Sequence, residues 1–511
     1  MRFNMFKKSN TTTQAIKPTT NYQGAPAYTL TPEIELYTAV ATAGLSDTFY
    51  EKSGKRLERI QALIQKNDAE FVAKLAVYAR TQMYLRSVPM VLAIELAKTN
   101  NGNGLVGKTV NGVVQRADEI AELLAYYQIA NKRVGTKKLN KVSKQVQKGL
   151  ALAFNKFDEY QFAKYNRAAE VSLRDALFLV HPKAAGEEQQ AVFNKIANNT
   201  LQTPYTWETE LSALGQHKFA NEREKAAAFK AKWEELIMSN KMGYMATMRN
   251  LRNMLEANVS YKHIEKVAAY LGNANAVARS KQLPFRFLAA YRELKELKNA
   301  NVSILLDALE DAVSASAANI AGFNGNTSVV IACDVSSSMQ QPVSAKSKIL
   351  LYDVGLMLGM LLQSRCKRVA SGMFGDRWKI INMPKRNVLS NVNEYYKREG
   401  EVGYATNGYL VIDDLLRRNE VVDKVMLFTD VQLWSTGFVG NALETKWKAY
   451  KKIAPNAKLY LFDLAGHGNT PLSTHRNDVY LIAGWSDKVF DVLAAMENGQ
   501  NAVEHIRKVD L

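Results

Sequence analysis

The sequence predicts a multidomain α plus α/β protein, a long helical array followed by a doubly wound α/β domain. Three observations carry this. Helical periodicity runs almost unbroken from about residue 31 to 320, the stretch "AGFNGNTS" at 321–328 interrupts it, and short apolar runs then alternate with helical ones. At 511 residues the chain also exceeds one ordinary core.

The elements come in this order. "MRFNMFKKSNTTTQAIKPTT" carries positive charge but no apolar run, so residues 1–25 read as a flexible tail rather than a secretory signal. Val72, Leu75, Ala76, Ala79 and Met83 then share one helical face, and Pro89 opens the next helix, where its missing N–H costs little. "EKAAAFKAKWEELIMS" and "ILLDALEDAVSASAANI" continue the pattern. Helix pairs of irregular length without a clean repeat predict an α-solenoid over 26–325. Over 326–511, strands are expected near 328–333, 368–373, 379–382, 424–429, 458–464 and 478–482. Helices are expected near 345–363, 408–418, 440–454 and 486–496. Nearly all-apolar strands alternating with helices imply a mainly parallel sheet covered on both faces.

The net charge of +18 is uneven. Lys and Arg outnumber Asp and Glu by 44 to 30 before Asn326 and by 23 to 19 from there on. The helical part therefore predicts a polyanionic partner, nucleic acid first and an anionic membrane second. No apolar run reaches the length of a membrane span. Cys333 and Cys366 are the two cysteines, too few for a disulfide framework or zinc spacing, and a reducing cytoplasmic setting is expected.

"SVVIACDVSSSMQQ" (328–341) is a buried strand followed by Asp334, Ser336 and Ser338 at alternate positions. The carboxyl edge of such a sheet is where ligands bind, and these hard oxygens suit a divalent cation, although a Ser-rich turn with a helix cap reads the same way. Partners come from elsewhere. "GYATNGYL" supplies Thr406 from a loop, and "KVMLFTD" ends a strand at Asp430. One or two carboxylates leave Mg²⁺ net positive and able to grip an acidic group; Mn²⁺ or Ca²⁺ would fit the same donors. A catalytic two-metal site would want more carboxylates, so docking rather than an enzyme is expected.

"DVSSS", "YATN" and "LFTD", in this order, resemble the metal-ion-dependent adhesion site of a von Willebrand A domain. Ala405-Thr406-Asn407 departs from the Gly-Thr-Asp of many relatives. The helical part sharpens the likeness. "MGYMATMRNLRNML" (242–255), "LPFRFLAAYREL" (283–294) and "AKYNRAAEVSLRDALFLVHPK" (163–183) resemble the Ro autoantigen family, with its TROVE module. The resemblance implies a HEAT-like helical ring that binds a small noncoding Y RNA outside and admits single-stranded ends of misfolded RNA into a central hole. It also implies a monomer in RNA quality control, with an exoribonuclease such as polynucleotide phosphorylase tethered through the RNA.

The positive surface then has candidates. Residues 133–156 contain no acid, and this segment with its approach offers Lys132, Arg133, Lys137, Lys138, Lys141, Lys144 and Lys148 for phosphates; a solvated helical face is the bland alternative. The family resemblance adds Lys164, Arg167, Arg174 and His181; its second basic position falls on Ala168, and His181 also fits an ordinary helix end.

Competing chemistry is weaker. "GNGLVGKT" (102–109) matches the P-loop pattern with Lys108 and Thr109, but a helical segment precedes it and Asn111-Gly112 interrupts the helix a P-loop would need next, so it reads as an inter-helix loop. His467 and His475 lack a ligand set and are expected in solvent, Cys333 reads as core, and no serine sits in a nucleophile elbow. The alternative to RNA scaffolding is a metal-dependent protein-interaction or chaperone-like module.

Overall fold

The structure is a computed structural model that describes residues 17–43, 51–100, 102–132, 142–166, 169–344, 347–434, 441–474 and 476–511. Among them, eighteen α-helices succeed one another from Pro32 to Ser316 with no strand between. Local signals set their ends. Asp68 accepts from the Phe71 N–H at 2.8 Å to start Ala69–Thr81, and Ser172 caps Leu173–Val180 through a reciprocal pair with Asp175. Pro89 lies in the first turn of Ser87–Thr99, as its missing N–H allows.

Six strands form the C-terminal sheet: β3 (Ser328–Asp334), β4 (Arg368–Phe374), β5 (Trp378–Ile380), β6 (Lys424–Thr429), β7 (Lys458–Asp463) and β9 (Val479–Ala483). Their order is β5-β4-β3-β6-β7-β9, with β5 antiparallel at one edge and every other pairing parallel. Every residue of β3 and β6 is buried, which is why both read as continuous apolar runs. The chain runs outward from β3 to β4 and then returns to its other side at β6, so the sheet has its switch point between β3 and β6.

Two expectations change. Residues from Lys17 onward do not behave as a tail: β1 (Pro18–Thr20) and β2 (Pro26–Thr29) form a hairpin, and β2 pairs with β8 (Asn469–Thr470) of the C-terminal domain. A three-residue edge strand gives too short a period to be read from sequence. Helix Val388–Arg398, rich in residues that also suit strands, is likewise absent from the sequence reading.

Both ends of the helical array rest on the α/β domain. At its start, Tyr37 buries its hydroxyl against β9, donating to Ala483 O at 2.9 Å and accepting from Ala483 N at 3.1 Å. Arg56 donates to Thr42 O and Ala465 O, and Arg59 to Gly466 O at 2.6 Å. Burial opposes ionisation of Glu51, but Arg59 and Arg56 outweigh it and hold its carboxyl down at about 2. At the array's end, Pro284–Lys295 and Val302–Ser316 pack on helices Leu351–Arg365 and Val388–Arg398. Lys281 lies 5.7 Å from the ring centre of Tyr84, linking the late and early helices. The array thus closes on itself through the α/β domain.

Arg292 joins the two parts most directly, with two bonds of 2.8 and 2.7 Å to fully buried Asp353. Arg292→Ala is expected to cost about 3–5 kcal/mol, because it leaves a buried carboxylate without its cation. Equilibrium urea unfolding of the full chain measures it.

Candidate metal site and nucleic-acid cleft

The loops that carry the five predicted donors meet at the carboxyl edge of the sheet. β3 ends at Asp334, whose Oδ1 accepts from the Ser336 N–H at 2.9 Å and whose Oδ2 accepts from the Thr429 hydroxyl at 2.6 Å. The Ser336 and Ser338 hydroxyls lie 3.3 Å apart. Asp430 comes directly after β6, and its Oδ1 accepts from Gln432 N at 3.0 Å. Val431, at φ 55°, holds a backbone conformation that is unusual for a β-branched residue.

Main-chain bonds tie the third loop to the other two. Ser337 N donates to Tyr404 O at 3.0 Å, and Trp434 N donates to Thr406 O at 3.0 Å. Two glycines permit this approach. A Cβ on Gly375 would stand 2.0 Å from Gly403 O, and Gly403 itself has φ +73°. None of Asp334, Ser336, Ser338, Thr406 and Asp430 is more than 5% exposed.

The electrostatics of this site fit a cation. Burial raises the Asp334 carboxyl, and the neighbouring Asp430 charge raises it further. Burial also raises Asp430, against a lowering hydrogen bond from Ser338. Two ionised carboxylates held together out of water repel, and a divalent ion removes that penalty. The other donors are neutral hydroxyls, so the two carboxylates would at most neutralise the ion. The buried Asn407 Oδ1, beside Thr406, has no hydrogen-bond partner and is a further acceptor suited to a metal-bound water. Among the described residues no group of three or more His, Cys, Asp or Glu is placed to hold a metal ion.

A second feature lies in the helical array. Arg86, Arg116, Lys164, Lys241 and Arg249 line a cleft of about 460 Å³ with Tyr160, Tyr165, Tyr205 and Trp207. The cations sit on the rings. Arg116 is 4.4 Å from the Tyr165 ring centre, Lys164 is 5.7 Å from Tyr160 and 5.6 Å from Tyr165, and Lys241 is 4.9 Å from Tyr205. Trp207 stacks on Trp233 at 6.3 Å and an interplanar angle of 18°. Carboxylates offset part of the charge: Arg86 pairs with Asp118 and Glu122, and Arg116 with Asp118. Basic groups interleaved with aromatic faces are what a single nucleic-acid strand needs, the former for its phosphates and the latter for its bases.

The TROVE domain profile matches residues 38–232 and 199–320, which is more than half of the chain and the whole of the helical array beyond its first turns. The chain is a TROVE-domain protein of the Ro family. It is similar to the crystal structure of the Deinococcus radiodurans RO (RSR) protein, with a TM-score of 0.59 over 92% of this chain and 100% of that one; at 16% identity this shows a common fold. The rat protein named telomerase protein component 1 is 23% identical over 309 aligned residues, 45% of this chain and 11% of its own length. The mouse protein of that name is 40% identical over 98 residues, 19% of this chain and 3% of its own. The chain thus spans about a tenth or less of these curated relatives.

Of the predicted basic positions in the TROVE part, Lys164 lines the cleft. Lys132, Lys144, Lys148 and Arg174 are exposed, and the helices carrying Lys144 and Arg174 pack side by side, with Gln147 Nε2 donating to Leu179 O at 3.1 Å. His181 is exposed and caps Leu173–Val180 in the left-handed region, φ 49°. Arg133, Lys137, Lys138, Lys141 and Arg167 lie outside the described residues, as does His475.

"GNGLVGKT" is an inter-helix loop running into helix Leu105–Val113, which continues through Asn111-Gly112 rather than breaking there. Thr109 is buried with its hydroxyl given to Leu105 O at 2.9 Å, and helix Ser87–Thr99 stands where a P-loop needs a strand. His467, expected in solvent, is buried with its ring 5.3 Å from Tyr22, and burial followed by the charge of Arg56 pushes its pKa down to about 3. The N-terminal hairpin covers it, which no local signal announces. No helix among the described residues is long and apolar enough to cross a membrane.

Asp463 was missed by the sequence reading, although "LFD" ends β7 as "LFTD" ends β6. It pairs with Thr429 across the strands, its Oδ1 accepts from Ala465 and Gly466 N–H groups, and its buried Oδ2 has no hydrogen-bond partner. Burial raises its carboxyl to about 6 against those two bonds, with Asp430 raising it further and Arg56 lowering it. A carboxyl whose folded pKa is raised stabilises below the unfolded value and loses that stability as pH rises through the folded one. In chelator, the Asp463 contribution to unfolding free energy should therefore fall between pH 3.8 and about 6, read as the difference between the wild-type chain and Asp463→Asn because His467 contributes with the opposite sign over that range. Added Mg²⁺ at a hundred times its Kd should restore about 2.7 kcal/mol at neutral pH, an effect lost in Asp334→Asn. Denaturant titrations across pH, with EDTA or Mg²⁺, measure both.

Proposed function

We propose that this protein is an RNA-binding scaffold without catalytic activity, which takes a single-stranded RNA end into the basic aromatic cleft of its TROVE part and holds a small noncoding Y-like RNA on the outer helical face. The observation that carries the reading is the cleft, where cations from five separate places in the sequence converge with four aromatic rings. Lysine and arginine supply phosphate neutralisation, and Tyr160, Tyr165, Tyr205 and Trp207 supply stacking surfaces that accept any base. The exposed Lys144, Lys148, Arg174 and His181 on neighbouring helices supply the outer face.

The α/β domain is read as a von Willebrand A domain that docks a partner. Its site would hold Mg²⁺ through Asp334, Ser336, Ser338, Thr406 and Asp430, directly or through water, and the ion supplies an open position for a partner's carboxylate. Mn²⁺ and Ca²⁺ would be accommodated by the same oxygens. An exoribonuclease brought in through the bound RNA would make the assembly part of RNA quality control in the cytoplasm, with the chain acting as a monomer.

RNA affinity of the purified chain should fall steeply with salt. For oligouridine, Lys164→Ala combined with Lys241→Ala should flatten the slope of log K against log salt by about 0.7 for each phosphate contact removed. Tyr205→Leu should cost about 1–3 kcal/mol while leaving that slope unchanged. Asp334→Asn should leave RNA affinity as it is. Fluorescence anisotropy over a salt series reads all three, and an affinity indifferent to salt and to the cleft variants would overturn the RNA reading.

A further inference from the structure

The metal-site loops carry exposed aromatic rings. Tyr404, 44% exposed, lies two residues before Thr406, and its carbonyl accepts from Ser337 between the two serine donors at 3.0 Å. Trp434, 48% exposed, lies four residues after Asp430, with its N–H on Thr406 O. A third ring comes from far away in sequence. The turn of the N-terminal hairpin presents Tyr22, 51% exposed, while Tyr22 N donates to Gln432 Oε1 at 2.9 Å and Asn21 Nδ2 donates to Leu433 O at 2.8 Å. All three rings are therefore anchored through the loops that hold Ser336, Ser338, Thr406 and Asp430.

The stretches of these loops nearest the donors contain no positive charge. Residues 335–341, 402–408 and 430–434, and the hairpin turn 20–25, include neither Lys nor Arg. That composition argues against RNA here, since RNA affinity rests on several phosphate neutralisations. It also argues against a densely acidic ligand, because Glu399, bonded to Gln340 and Tyr404 at 3.4 Å each, already places a carboxylate at this rim. Exposed Trp and Tyr around a single polar anchor are the composition of a protein-interaction centre, where such rings carry most of the energy.

We propose that Tyr22, Tyr404 and Trp434 form an apolar collar around the metal site, and that the partner is a protein segment presenting one carboxylate flanked by aromatic or aliphatic side chains. The inference rests on the docking reading of the A domain and specifies its partner's chemistry. The N-terminal hairpin is part of this face, so a segment remote in sequence sets partner choice.

The test uses the full chain, freed of nucleic acid and immobilised in Mg²⁺, against a displayed random peptide library eluted with EDTA. Selected peptides are expected to carry one Asp or Glu beside aromatic or aliphatic residues. Trp434→Ala and Tyr404→Ala should each weaken a selected peptide about tenfold, the size of a modest hot spot, with Mg²⁺ affinity by calorimetry unchanged. Trp434→Phe should retain most of the binding. Polyacidic selections, or peptides indifferent to both alanine variants, would overturn the collar while leaving the metal site standing. Absence of Mg²⁺ binding by the wild-type chain would instead remove the docking reading itself. EDTA-sensitive binding of polyuridine that Trp434→Ala abolishes would assign the face to RNA and overturn the proposal.

Discussion

The helix Leu351–Arg365 is buried along almost its whole length, between a sheet that must be covered and a helical array that must be anchored. A parallel sheet buried on both faces has no stable form without such cover. Here the cover also carries Asp353, whose bidentate pair with Arg292 fixes the end of the array against the α/β domain. A buried pair of this kind is specific in geometry because either partner alone is costly. The opposite end is held by Arg56 and Arg59 on the carbonyls of Ala465 and Gly466. Closure of the array, and with it the shape of the basic cleft, depends on both attachments.

The two functional regions solve opposite electrostatic problems. The cleft gathers cations whose repulsion is relieved by Asp118, Glu122 and the faces of tyrosines, and it retains the capacity to take phosphates. The sheet edge gathers two buried carboxylates whose repulsion is relieved by hydroxyl donors, and it retains the capacity to take a cation. Under the proposed reading, a ligand of the opposite sign would complete each region. Under the same reading, their separation on different domains would let RNA and a protein partner be held at once.

Much of the candidate metal site was legible because it is local. Asp334, Ser336 and Ser338 are fixed by one strand end, and "LFTD" marks the next strand end in the same way. Thr429 was visible as a letter of that motif, but its hydrogen bond to Asp334 was not, since it crosses 95 positions in sequence. The cleft was scarcely legible. Lys164 alone was singled out, because Arg86, Arg116, Tyr205 and Lys241 sit in the connections between helices, Trp207 and Arg249 at helix ends, and no period relates them.

The sequence by itself determined the class of each half, since helical and strand periods record which face each element buries, and it determined the oxygen donors that a single strand end aligns. Tertiary structure decided where the charges of the array converge, that residues 17–29 are a hairpin on the α/β domain, and that His467 is buried beneath Tyr22. These depend on contacts between segments hundreds of residues apart. Such contacts are chosen by packing and by the need to pair buried polar groups, neither of which leaves a local pattern in the chain.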